Sequence, residues 1–185
     1  FYLGGSMSET RPYNELYDGN QQQYTPGITA ILANSLSRQE VINALYNRNC
    51  YATTGPRIIL YYTLAQQLMG SELKTEEKPG LAFVRHISGF IACGSEIASV
   101  EIIRNGAVVH SLHPHTDQFE FEWDDLEPLE KICLKDPNGG CPFSFYYIRV
   151  TQKDGHIAWG SPIWIDLAKE IKAKVKKEPT KVKTR

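Results

Sequence analysis

The chain predicts a mainly β, α+β fold: an antiparallel β-sandwich preceded by one amphipathic helix. Three observations carry this expectation. Asn105-Gly106 and Asp154-Gly155 are dipeptides of the kind that close two-residue hairpins, because both tolerate the positive φ that a type I′ turn demands. Residues 118–124 alternate strictly, with Phe119, Phe121 and Trp123 set against Gln118, Glu120, Glu122 and Asp124, as a strand with one wet face must. Only one stretch carries a full helix-start signature. Several short strands with turn signals between them bury their apolar faces most simply as two facing sheets.

Residues 8–26 are rich in Gln, Asn, Tyr, Gly and Pro and show neither periodicity. They read as an extended loop that needs a partner surface. Residues 27–33 read as a short buried strand. Ser37 followed by Glu40 is a capping box, and Val41, Ile42 and Leu45 share one face of the helix it starts, which is expected to end near residues 47–49. After Pro56 the pattern turns to β, with strands at 58–64, 81–91 and 99–104. Asn105-Gly106 joins 100–103 to 107–109 as a hairpin. A second hairpin pairs 143–151 with 156–165. Residues 167–177 are compatible with a short helix, and a disordered lysine-rich end follows. The organisation is thus an N-terminal segment 1–56, a β-sandwich 57–166 and a basic tail 167–185.

Composition bounds the class. With 185 residues and 42% hydrophobic side chains the chain can build one ordinary core but not two full domains. Its 20 basic and 21 acidic residues make no global field for nucleic acid, so no nucleic-acid partner is expected. Charge is uneven, however, since residues 169–185 hold eight Lys or Arg and two Glu. No apolar run approaches the roughly 20 residues of a membrane-spanning helix, and no internal repeat is present. Phe1-Tyr2-Leu3-Gly4-Gly5-Ser6 before Met7 reads as vector-derived or as native sequence, and the compartment is left open.

Read together, Pro26-Gly27-Ile28-Thr29-Ala30, the stretch from Arg48 through Thr53-Thr54-Gly55-Pro56-Arg57, Met69-Gly70-Ser71-Glu72, and Ala158-Trp159-Gly160-Ser161-Pro162-Ile163-Trp164 carry a resemblance. From about Gly27 to Ile165 the chain resembles the C-terminal portion of an uncharacterised family related to the PHP (polymerase and histidinol phosphatase) metallohydrolases. The resemblance implies that the helix is the last one of a PHP-type barrel. It implies a catalytic barrel of the same protein, or a second copy of the chain, as partner. It also implies no cofactor for this chain and a divalent metal in a longer parent, because the family's last Asp and His ligands fall on Met7 and Glu9. A thioether is no substitute for a hard carboxylate.

Candidate chemistry is sparse. Thr53, Thr54 and Arg57 offer two hydroxyls and a guanidinium to an oxyanion, or the hydroxyls merely satisfy a turn. His113 and His115, with His110 and Asp117 nearby, offer imidazoles to a metal, or form a plain surface loop. Cys133 and Cys141 bracket a loop that a disulfide could close in an oxidising compartment, whereas Cys50 and Cys93 read as core thiols. Tyr146, Tyr147, Trp159 and Trp164 fit a carbohydrate groove or, by default, the core. No nucleophile elbow and no Cys with a His partner is visible, so no catalytic residue is assigned. The functional expectation is a noncatalytic accessory or interaction module. The alternatives are a fragment of an active metal-dependent phosphoesterase whose barrel lies upstream, and a stand-alone sandwich that binds a glycan or protein.

Overall fold

The computed structural model describes residues 2–4 and 27–168. The expectations for residues 8–26, for Met7 and Glu9, and for the basic segment after Ala168 lie outside the described residues. Within them the fold is β-rich, with antiparallel sheets and two helices, of which one is long.

The smaller sheet has the order β10 (Gln118–Asp125), β7 (Arg85–Ala92), β4 (Ile59–Leu64), β5 (Gln67–Leu68). The larger is built on β11 (Phe143–Gln152). One flank of β11 carries β8 (Ile97–Arg104) and then β9 (Ala107–Leu112). The other flank carries both β12 (Ile157–Gly160) and β13 (Ile163–Asp166), and from these the sheet continues as two arms. One arm runs through β3 (Cys50–Thr53), β2 (Ile28–Ile31) and β1 (Tyr2–Gly4), and the other ends at β6 (Glu72–Lys74), which pairs with β13 in parallel. β2 and β3, from the N-terminal segment, therefore belong to the same sheet as strands from 57–166.

Period-two burial gives each sheet one apolar face. Leu60, Tyr62 and Leu64 of β4, with Ile87 and Ile91 of β7, meet Val100 and Ile102 of β8 and Ile148 and Val150 of β11 in a single core. Each such side chain contributes about 1.5–3 kcal/mol by leaving water. The Asn105-Gly106 turn forms as expected, with φ of 55° and 86° and Arg104 opposite Ala107.

Three local expectations need correction. The stretch 81–91 does not begin as strand: Pro79–Ala82 is a 3-10 turn and the strand starts at Arg85, because Pro79 at the first position of the turn presets its φ and leaves no N–H to pair in a ladder. The stretch 156–165 is two strands rather than one, for a reason given below. Residues 50–53, which lie after the expected helix end and outside every expected strand, form the interior strand β3 between β2 and β12.

The helix α1 (Arg38–Tyr46) starts at Ser37, whose Oγ accepts from the Glu40 N–H at 3.2 Å. Its buried residue is Ala44, whereas Leu45 is 43% and Tyr46 82% exposed, and Leu36 just before it is 70% exposed. A second helix, α2 (Leu129–Ile132), is a single turn anchored by the buried Leu129.

Candidate functional site

The larger sheet forks where β11 pairs with both β12 and β13. Arg149 pairs with Trp159 and Tyr146 with Ile163, so three steps along β11 oppose four along its neighbour. The extra residue falls in Gly160-Ser161-Pro162, where Pro162 has no N–H for the ladder, and the resulting bulge parts β12 from β13. From the core side Tyr62 fills the opening, its Oη within 2.5 Å of the Ser161 carbonyl and 3.2 Å of the Tyr146 carbonyl. Gly160 makes the room, because a Cβ there would stand 2.7 Å from the Tyr62 ring. Burial holds the Tyr62 hydroxyl well above its ordinary pKa, so it remains a donor.

From the outer side the two arms are tied by Arg48. Its guanidinium lies 5.1 Å over the Trp164 ring, its Nε donates to the Gly70 carbonyl at 3.1 Å, and it pairs with Glu72 at 2.7 Å. Asn49 Nδ2 donates to the Met69 carbonyl and Ser161 Oγ to the Cys50 carbonyl. Gly70, at φ 92°, is required: a Cβ would sit 2.4 Å from the Arg48 carbonyl oxygen. An open polar groove of about 400 Å³ results, lined by Asn47, Arg48, Asn49, Gln67, Ser71 and Glu72 among others. It offers amides and one engaged ion pair to a ligand, and among the described residues its lining contains no thiol, imidazole or second carboxylate.

Thr53, Thr54 and Arg57 flank this fork without forming a cradle. Thr53 is buried, its Oγ1 donating to the Pro56 carbonyl at 2.8 Å and accepting from the Gly55 N–H. Thr54 Oγ1 accepts from the Ile157 N–H at 3.0 Å and lies 2.9 Å from His156 Nδ1. Both hydroxyls thus serve the turn and the β3–β12 junction. Arg57 is exposed beside them.

His113 and His115 lie in the exposed loop after β9, and His115 Nδ1 is 3.0 Å from Glu96. Among the described residues no three His, Cys, Asp or Glu side chains converge to hold a metal. Cys133 and Cys141 stand as free, half-buried thiols in this structure. Leu134 and Phe143, each beside this cysteine loop, exchange backbone hydrogen bonds. Burial pushes the Cys133 and Cys93 thiols up to about 11. Of the aromatic residues, Tyr146 is fully buried and the Trp164 ring is covered by Arg48.

A cluster that the sequence reading passed over lies between the sheets. Buried Arg85 pairs with Asp125 at 3.0 Å and donates from Nε to Tyr146 Oη and from Nη1 to the Leu81 carbonyl; Nη2 also meets the Glu127 carbonyl. Arg104 reaches the other Asp125 oxygen at 2.8 Å, where Tyr146 Oη also donates at 2.7 Å. Burial would raise the Asp125 carboxyl, but Tyr146, Arg104, the Glu127 N–H and Arg85 together hold it below the usual carboxylate range. Every polar atom of the pair is engaged, so the cluster is a structural clamp. Two signals were available: Arg85 interrupts the apolar run Leu-Ala-Phe-Val, and the alternation that buries Phe121 also points Asp125 inward.

Residues 6–83 match the family model "Protein of unknown function (DUF3604)". The chain is 52% identical over 166 residues to an uncharacterized protein of Chlamydia trachomatis serovar D, covering 90% of this chain. It is 49% identical over 166 residues to uncharacterized proteins of Chlamydia muridarum and of Chlamydia pneumoniae. The chain spans about 27% of the length of each of these relatives. No solved structure matches it. These findings overturn the PHP resemblance: the matching family model is one of unknown function, the relatives are uncharacterized, and no PHP match supports it. The reading of α1 as the last helix of a PHP-type barrel falls with it.

Proposed function

We propose that the chain is a noncatalytic accessory or interaction module that works packed against other parts of a longer protein. One observation carries this reading: the apolar side chains Leu36, Leu45 and Tyr46 stand in solvent around α1, while the relatives carry nearly three quarters of their length outside the matched region. Large apolar side chains left in solvent at both ends of one helix are where a contact surface is sought. On this reading the chain needs no cofactor of its own, and the fork tied by Arg48 serves to hold α1 rigidly on the sheet.

The test places a photo-crosslinking amino acid at the position aligned with Tyr46 in the Chlamydia trachomatis relative. Cross-links from that position to residues of the same polypeptide outside the matched region are expected. A side chain that captures only water would end this reading, and cross-links confined to a second copy would assign the face to self-association.

A further inference from the structure

We propose that the outer face of the smaller sheet binds an extended partner segment through its arginines, with guanidinium groups laid on the Tyr61 and Phe90 rings and paired with Glu120 and Glu122. Tyr62 of β4 and Phe121 of β10 turn into the core on either side of Gly89, so their neighbours along each strand point outward. Two cross-strand rows result. One is Tyr61, Phe90 and Glu120, and the next is Thr63, Ser88 and Glu122. Both rows contribute to a shallow groove of about 220 Å³, lined by Tyr61, Phe90, Glu120, Ser88 and Glu122 above the backbone of the sheet. Tyr61 is 45% exposed, and the two glutamates are exposed and make no ion pair among the described residues. His86, the one basic side chain that β4, β7 and β10 turn to this face, is held by Asp124 at 2.7 Å.

Charge and shape together select the occupant. Two carboxylates without a counter-charge beside a pair of rings suit a cation that is also flat, and the guanidinium is both: it stacks on an aromatic face and forks onto a carboxylate. An ammonium would meet the carboxylates as a point charge and gain less from the rings. A neutral sugar could stack on the rings, but it would take the carboxylates out of water with no charge to compensate them. Spacing adds a second constraint. Side chains two residues apart on a strand recur about every 6.6–6.8 Å along one face, which is the step from Glu120 to Glu122. An extended segment lying along β10 with arginines two residues apart therefore meets both carboxylates at once. This face is separate from the apolar surface around α1, which packs beside β2 of the larger sheet, so the two contacts stand or fall independently.

Titration of the full chain with a synthetic peptide in which arginines alternate with glycines tests this, with lysine and citrulline versions of the same peptide as controls. Saturable binding of the arginine peptide is expected, with amide chemical-shift changes confined to β4, β7 and β10. The lysine peptide should bind several-fold more weakly, and the citrulline peptide, which keeps the plane and lacks the charge, should not bind. Glu120→Gln/Glu122→Gln, at exposed positions that leave the core untouched, should weaken the arginine peptide by about tenfold or more through loss of charge-assisted hydrogen bonds. Tyr61→Leu keeps an apolar side chain and removes the ring, and should weaken it by about threefold. Equal binding of the lysine or citrulline peptide would overturn the assignment to a guanidinium. Unchanged affinity in Glu120→Gln/Glu122→Gln, or shifts spread over the whole surface, would overturn the site. Shifts on this face with maltohexaose, where the arginine peptide gives none, would overturn the proposal and give the face to a neutral glycan.

Discussion

Arg85 and Asp125 face each other across the β7–β10 ladder, their charged groups 3.0 Å apart and their side chains 0% and 4% exposed. The pair draws in Tyr146 and Arg104 from the opposite sheet, so it locks the angle between the two layers at one end of the core. A buried ion pair of this kind is weak evidence of net stabilisation, but removing one partner strands the other.

Asp125→Asn is therefore expected to destabilise the fold by about 3–5 kcal/mol, read from urea unfolding at pH 7. A loss under about 1 kcal/mol would show that water reaches Arg85 in place of the carboxylate.

The same carboxylate sets a pH dependence. Its folded pKa is depressed, so its contribution is present above the unfolded value near pH 4 and is lost as pH falls through the lower folded value. Urea midpoints measured from pH 6 down to pH 2 should fall less steeply in Asp125→Asn than in the parent chain. Parallel profiles would assign acid sensitivity to other carboxylates.

Gly70→Ala should cost more than the usual glycine-to-alanine strain at positive φ, because the new Cβ meets backbone oxygen at 2.4 Å and not a side chain that can swing away. About 2 kcal/mol or more is expected, on the scale of strained backbone sites, with Trp164 fluorescence shifting as Arg48 is displaced. Gly106→Ala, at φ 86° with open space around the Cβ position, should cost less.

Tyr62→Phe keeps the ring that fills the sheet fork and removes the hydroxyl that meets the Ser161 and Tyr146 carbonyls. A loss of about 1–3 kcal/mol is expected from stranding buried acceptors. Thermal unfolding of the variant checks it, and an unchanged midpoint would mean that the carbonyls find other donors.

Cys93 and Cys133 should resist alkylation. Their thiols are pushed by burial from 9.0 to about 11, so at pH 8 the thiolate fraction is about 100-fold below that of an unshifted thiol. Iodoacetamide labelling followed by peptide mass analysis reads the order of reaction. Rapid labelling of Cys133 in the native chain would place it in a more open setting.

Much of the architecture was legible because its signals are local. The Ser37 cap, the Asn105-Gly106 turn and the alternation through residues 118–124 act over a few residues, and all three appear in the structure where the pattern places them, although the Glu40 carboxylate accepts from Asn34 and Asn43. The site was less legible. Thr53 and Thr54 stood out as a pair of hydroxyls, but only their partners, Pro56 within the turn and His156 and Ile157 across the sheet, show them occupied with backbone and ring partners. The Leu134–Phe143 bridge that closes the loop holding Cys141 is likewise invisible in the cysteine spacing.

By itself the sequence determined the fold class, the strand faces, the single long helix and the main turns, because backbone preference and apolar periodicity are properties of neighbouring residues. Tertiary structure alone decided the fork at Ser161-Pro162, the Arg48 tie to Gly70, Glu72 and Trp164, and the Arg85–Asp125 clamp. These join residues separated by 20 to more than 100 positions, and no local pattern encodes which distant partner a buried charge or a bulged strand will meet. The exposure of Leu45 and Tyr46 on α1 belongs to the same class, since an apolar residue looks alike in sequence whether its own core covers it or leaves it in solvent.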